Sequence, residues 1–239
     1  MGNGMSILCA HRGASGNFPE NTMSAFNAAR KLGVKWLEVD LGITVDDILI
    51  IFHDSKLGRT IAGEGEISEL NFDEIKDLDV GIWKGSEFKQ QKVVTLRQLL
   101  LWQKKYKMNI NYEIKCENLN AVRVTSLIAK EFKLANQNKI ILSSFSEEML
   151  KQSIKVLPDF QHALISEKLP ADWKEKVQEM NLQAWHLNAT YLSRKTIEAL
   201  NVEGLRVRVY TVNDRAVFDK MTLWGVDMIM SDYPELFLN

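Results

Sequence analysis

No stretch of the 239-residue chain approaches the ~18 consecutive apolar residues that a membrane-spanning helix needs, so no stable membrane insertion is expected. The amino terminus lacks the charged and apolar regions of a secretory leader. The two cysteines, Cys9 and Cys116, lie in or beside apolar runs, with no spacing suited to zinc or to a disulfide framework. Together these observations point to a reducing, cytoplasmic setting. Neither sign of charge is in excess: 30 Lys and Arg against 31 Asp and Glu leave a formal net charge of -1. That balance argues against a nucleic-acid partner and against a polybasic membrane surface. No low-complexity tract or linker divides the chain, and no Gly-x-Gly-x-x-Gly turn follows the first apolar run, which disfavours a dinucleotide-binding sheet. Met1-Gly-Asn-Gly-Met-Ser6 fits the loose myristoylation pattern, but a flexible start ahead of Met5 is the simpler expectation.

What is present begins with length and core. A hydrophobic fraction of 46% suits a globular protein with a full interior, and one α/β barrel typically takes ~250 residues. The stretch Trp36–Thr44 alternates strictly: Leu37, Val39, Leu41 and Ile43 on one face, Glu38, Asp40 and Gly42 on the other. The acidic face is either bathed in water or holds something positive. Two anions ~5 Å apart at an effective dielectric near 20 repel by roughly 3 kcal/mol. Inside a barrel, that repulsion calls for a cation.

Around this strand the chain reads as alternating strands and helices. Ser6–His11 is a first strand, followed by a turn-rich loop and a helix over Thr22–Leu32 that Gly33 stops. Ile48–Phe52 is an apolar run ending in His53-Asp54. Residues 55–94 lack barrel-like alternation and read as an insertion on a barrel loop, with a short helix begun by Asn71 and Glu74. Leu70, Phe72, Ile82 and Trp83 in it are expected to pack on the barrel as a cover. Thr95–Tyr106 is helical, and Asn109–Lys115 is a second alternating strand with Asn109, Asn111, Glu113 and Lys115 on one face. Helical stretches at 121–132, 147–156, 173–180, 194–200 and 215–223 then precede strands at 140–144, 163–166, 184–187, 205–212 and 228–231, with Ser193 and Asn213 as expected caps of the last two helices. The count predicts a single-domain TIM (β/α)8 barrel over residues 1–239 with its insertion at about 55–94; an open doubly wound sheet is the alternative.

Barrel chemistry sits at the carboxyl ends of the strands. Those ends supply His11 and Arg12, Glu38 and Asp40, His53, and Glu113 and Lys115. Three carboxylates offer only oxygen ligands, a set for a hard divalent ion such as Mg²⁺, Ca²⁺ or Mn²⁺ rather than zinc. Solvated acids at a loop edge are the plain alternative. His11 and His53 each close an apolar run and open a polar loop. Imidazoles there can act as general acid and base, or else as metal ligands or loop caps. His162 and His186 lie within apolar strands and are expected to be packed, hydrogen-bonded core residues. Arg12 and Lys115 suit an anionic oxygen, phosphate above all, or balance the acids.

The motifs His11-Arg-Gly-Ala with Pro19-Glu-Asn-Thr22, Glu38-x-Asp40, Thr44-x-Asp46, His53-Asp54, Leu57-x-Arg59-Thr60, Gly63-x-Gly65, Asn111-x-Glu113-Ile-Lys115, Thr211-Val-Asn213 and Gly225-Val-Asp…Ser231-Asp-Tyr-Pro234 resemble those of the glycerophosphodiester phosphodiesterase family, in the same order across nearly the whole chain. The resemblance implies a TIM barrel and one divalent cation on Glu38, Asp40 and Glu113. It further implies His11 and His53 as the acid–base pair, and hydrolysis of small glycerophosphodiesters to glycerol 3-phosphate and an alcohol. Two positions depart from the family pattern. Tyr210 stands where tryptophan is frequent, and so enters the expected substrate-binding set with Arg12 and Lys115. Val94 stands where proline is common. A phosphodiesterase acting on lysophospholipids, in the manner of a lysophospholipase D, is the rival that keeps the barrel, and a non-catalytic binding barrel is the other. A zinc amidohydrolase is disfavoured, because its first strand needs two histidines one residue apart. A homo-oligomer is compatible with all of these.

Overall fold

The structure, a computed structural model, describes residues 6–238 apart from Glu117, Leu134, Gln137 and Asn138. The myristoylation pattern at Gly2 lies outside the described residues. The chain folds as a closed barrel of eight parallel strands: β1 (Ile7–His11), β2 (Trp36–Ile43), β5 (Asn109–Ile114), β6 (Ile140–Ser144), β7 (Gln161–Ser166), β8 (Ala184–Asn188), β9 (Arg206–Tyr210) and β10 (Met228–Ser231). Closure comes from β1, which pairs in parallel with β10 through Cys9 and Met230 and with β2 through His11 and Glu38. Helices α1 (Met23–Lys31), α3 (Leu96–Tyr106), α4 (Ala121–Phe132), α5 (Glu147–Val156), α6 (Trp173–Met180), α7 (Arg194–Val202) and α8 (Arg215–Leu223) surround it.

The alternation of β2 explains its place. Leu37, Val39 and Leu41 point outward into an apolar layer with Phe26 and Ala29 of α1 and Leu96 and Leu99 of α3, while Glu38 and Asp40 point into the barrel. Both faces are buried, as a barrel wall requires. Burying one such apolar side chain stabilises by ~1.5–3 kcal/mol, against ~1 kcal/mol for a helix cap, so packing on the wall decides where the helices lie and the caps decide where they start. Thr22, Thr95, Asn120, Ser146 and Ser193 accept backbone N–H groups at five of these starts. At α8 the cap is Asp214, not the expected Asn213, because Asn213 is spent elsewhere: its amide donates to Asp232 at 2.7 Å and its oxygen accepts from Ser231.

The run expected at 48–52 is not a barrel strand. β3 (Leu49–Ile51) doubles back antiparallel on β2, and the two-residue β4 (Val94–Thr95) pairs antiparallel with β3. The 55–94 segment between them contains the short helix α2 (Phe72–Ile75) with its expected Asn71–Glu74 capping box. It is built on its own apolar cluster of Ile50, Phe52, Ile61, Ile67, Ile75, Val80 and Val93, with Leu70 and Phe72 packed against it. Ile82 and Trp83 do not join that cover as expected: they are 49% and 39% exposed. Among the described residues no helix is long and apolar enough to cross a membrane.

Candidate active site

After β1 the chain turns sharply. Arg12 takes a left-handed φ of 56°, and Gly13 follows at 85°, where a Cβ would meet the backbone of Ala25 at 2.7 Å. The turn lays Arg12 across β2. Its N–H donates to Glu38 Oε2 at 3.1 Å, its Nε lies 3.1 Å from Asp40 Oδ2, and its Nη1 donates to Glu20 at 2.9 Å. Asn21 donates to Asp40 Oδ2 at 2.8 Å.

Parallel register then does the assembly. Glu38 stands beside His11 on one side and beside Asn111 on the other, and Asp40 stands beside Glu113. Ligand oxygens of Glu38, Asp40 and Glu113 lie within 4.8 Å of one another. Glu38 and Asp40 are each 1% exposed, and Glu38 Oε1 and Asp40 Oδ1 are buried with no hydrogen-bond partner. Burial, with the charges of Asp40 and Glu113 added, holds the Glu38 carboxyl far above the usual carboxylate range. Burial and Asp40 raise Glu113 to about 7 despite Lys115 at 2.9 Å. Burial would raise Asp40 too, but Arg12, His53 and the Asn21 hydrogen bond outweigh it and hold Asp40 low. Buried oxygens without donors, in an all-oxygen set where Asp40 is readily ionised and Glu38 and Glu113 gain from a nearby positive charge, suit a divalent cation of the Mg²⁺ or Ca²⁺ type.

Both expected imidazoles reach this place. His11 and His53 line one cavity of about 450 Å³ with Arg12, Glu38, Glu113, Lys115 and Tyr210. Each anchors its Nδ1 on an aspartate at 2.7 Å, His11 on Asp232 and His53 on Asp54, and His11 Nε2 lies 3.7 Å from Glu38. Asp232 also accepts from Ser15 and Asn213; burial would raise its carboxyl, but these contacts and His11 hold it below the usual range. Arg59 bridges Asp54 and Glu20 at 2.7 Å to each, tying the loop that carries His53 to the loop after β1. Arg12 and Lys115 are held in ion pairs with the acids they stand beside, so their charge-balancing role is real. Lys115 Nζ also lies 5.4 Å from the centre of the Phe145 ring. Tyr210 packs edge-on to Phe145 in the cavity lining, its hydroxyl buried and unpaired.

Of the other histidines, His162 is packed and hydrogen-bonded as expected, between Ser153 and the Phe160 carbonyl. His186 is likewise packed and hydrogen-bonded, 1% exposed with its Nε2 3.2 Å from Arg208 Nη1, and it also lines the cavity. Glu20, Asn21, Asp54, Arg59 and Asp232 are contributors that strand periodicity does not single out. Asp232 was within reach of a closure argument, since it directly follows the strand that must pair with the one ending in His11.

The sequence profile of the glycerophosphoryl diester phosphodiesterase family matches residues 11–236. A glycerophosphodiester phosphodiesterase of Caldanaerobacter subterraneus is 31% identical, with 98% of this chain and 97% of that one covered. The structure of an Oleispira antarctica phosphodiesterase in complex with the product sn-glycerol-3-phosphate superposes with a TM-score of 0.93 at 30% identity, covering 97% of this chain and 95% of that one. A glycerophosphodiester phosphodiesterase from Agrobacterium tumefaciens gives 0.81 at 27% identity, covering 98% and 99%.

Proposed function

The chain belongs to the glycerophosphoryl diester phosphodiesterase family, and from that premise we propose that it hydrolyses glycerophosphodiesters to glycerol 3-phosphate and an alcohol. The observation that carries this reading is the meeting of three buried carboxylates and two aspartate-anchored imidazoles in one cavity. Glu38, Asp40 and Glu113 would hold one divalent cation of the Mg²⁺, Ca²⁺ or Mn²⁺ type, which supplies Lewis-acid polarisation of a phosphoryl oxygen when bound. Arg12 and Lys115 face the same space and stabilise negative charge that grows on the phosphoryl oxygens. With Nδ1 of each histidine tied to an aspartate, the Nε2 atoms are left for chemistry. One takes the proton of the attacking oxygen, which is either water, giving glycerol 3-phosphate directly, or the glycerol's own hydroxyl, giving a cyclic phosphate that a water then opens to glycerol 3-phosphate. The other gives a proton to the alkoxide as its bond to phosphorus breaks. Tyr210 and Phe145, packed edge to face, line the same cavity and so bear on which alcohol is accepted.

Phosphorus NMR of glycerophosphocholine and glycerophosphoethanolamine, with and without chelator, is the direct test. The diester signal should be replaced by that of glycerol 3-phosphate only with metal present. His11→Ala and His53→Ala should each lower turnover by roughly 10²–10⁴-fold, and an unchanged rate in either removes that histidine from the mechanism. The exposed Ile82 and Trp83 support a second reading, a phosphodiesterase on lysophospholipids, because Lys84 Nζ donates to the Ser15 carbonyl at 2.9 Å and so ties this corner to the mouth. Faster turnover of lysophosphatidylcholine than of glycerophosphocholine would favour it.

A further inference from the structure

The near-zero net charge conceals a strong segregation. Three neighbouring strands, β2, β5 and β6, are entered at the end of the barrel opposite the mouth, and the chain entering each is basic: Lys35 before β2, Lys104, Lys105 and Lys107 before β5, Lys130 and Lys139 before β6. These segments touch. The Lys35 carbonyl accepts the N–H of Asn109 at 3.0 Å, and Lys139 Nζ donates to the Lys107 carbonyl at 3.0 Å. Among the described residues none of these six lysines pairs with a carboxylate. Elsewhere on the outer helices two acids are neutralised, Glu179 by Lys151 at 2.8 Å and Glu203 by Lys174 at 2.7 Å.

The basic region is also apolar. Lys104, Lys107, Lys130 and Lys139 rim a groove between α3 and α4 lined by Leu100 and Leu101, and the carboxylate in that lining, Glu131, is held by Arg97. Leu101 is 66% exposed. Lysines around an exposed leucine suit anionic headgroups over acyl chains. Nucleic acid would be better met by arginine forks and open aromatic rings. Here the Tyr106 ring is covered by Arg30 at 4.3 Å and flanked by Lys105.

We propose that this end of the barrel, on the side of α3 and α4, docks on an anionic phospholipid bilayer. Docked so, the mouth faces away from the membrane into water, where a glycerophosphodiester is dissolved. The reaction that must supply such a substrate is removal of both acyl chains from a phospholipid, which takes place at the same surface. The docking geometry itself does not depend on the substrate reading.

The test is co-sedimentation of the full chain with vesicles of phosphatidylcholine alone or mixed in equal parts with phosphatidylglycerol. The bound fraction should be at least about tenfold larger on the anionic vesicles and should fall to the phosphatidylcholine level in high salt. K104E/K105E/K130E should lose the preference while keeping hydrolysis of soluble glycerophosphocholine. Leu101→Ser, which alters an exposed side chain, should weaken anionic binding about threefold whether or not the triple variant folds. Equal binding to both vesicle types, unchanged binding by the folded triple variant or by Leu101→Ser, loss on I82S/W83S instead, or tighter retention on duplex DNA than on anionic vesicles would each overturn the proposal. Hydrolysis failing while docking survives would count against the substrate reading alone.

Discussion

Between the barrel wall and the helices, the Tyr112 hydroxyl donates to Gln103 Oε1 at 2.8 Å, and His162 sits 3.0 Å from both Ser153 Oγ and the Phe160 carbonyl. At the mouth, Glu38 Oε1, Asp40 Oδ1 and both polar atoms of Asn111 are as deeply buried and have no hydrogen-bond partner. The first arrangement is what a polar group needs to be buried without loss. The second costs stability, and the fold retains it where it also gathers two imidazoles and two cations. Unsatisfied groups in the outer layer would be a defect; at the mouth, on the proposed function, they are the atoms a bound ion or substrate would satisfy.

Glu38 is where substitution should separate the two regions most visibly. Glu38→Gln should lower turnover at least about 10²-fold, since changes to outer-shell partners alone cost about 10–100-fold. It should also raise the melting temperature in chelator, because burial disfavours the charge it removes. Calorimetry with and without Mg²⁺ checks both halves: the wild type should be stabilised by the ion and the variant should not.

His162 gives the opposite case, a group whose burial is complete without a ligand. Burial holds it at about 4 against an ordinary 6.5. Above 6.5 it is neutral folded or unfolded; as pH falls below that, only the unfolded chain takes up the proton. Folding should therefore lose up to about 3 kcal/mol from this residue between pH 6.5 and 4. Urea midpoints for His162→Gln should fall less steeply over that range. Tyr112→Phe strands the Gln103 oxygen in the apolar layer and should cost about 1–3 kcal/mol in the same assay with turnover unchanged. The smallest effect belongs to the solvent side. Glu203, paired with Lys174 at 2.7 Å and largely exposed, should tolerate Glu203→Ala within about 0.5 kcal/mol.

Much of this was legible because it is periodic. Leu37, Val39 and Leu41 alternate with Glu38 and Asp40, and a barrel wall turns that alternation directly into an apolar layer and an acidic mouth. Strand ends announced His11 and Glu113 by the same logic. Direction is not periodic: Leu49–Ile51 reads as an apolar strand whether it joins the ring or folds back on β2, as it does. The choice between Asn213 and Asp214 as a cap turned on Asp232, a partner well along the chain. So did the anchoring of His11, whose aspartate lies 221 residues away and becomes its neighbour only when the ring closes. Exposure of Ile82 and Trp83 was hidden for a different reason: their segment satisfies its own cluster without them.

That self-contained cluster separates two kinds of integrity. Ile61, Ile67 and Ile75 belong to a cluster separate from the apolar layer behind the acids, and the loop presenting His53 runs straight into them. On the proposed mechanism, loosening the excursion should remove the contribution of His53 while the three carboxylates stay together. On that same proposal, an excursion with its own apolar cluster is free to change length to suit other alcohols while the strands that carry the acids keep their register.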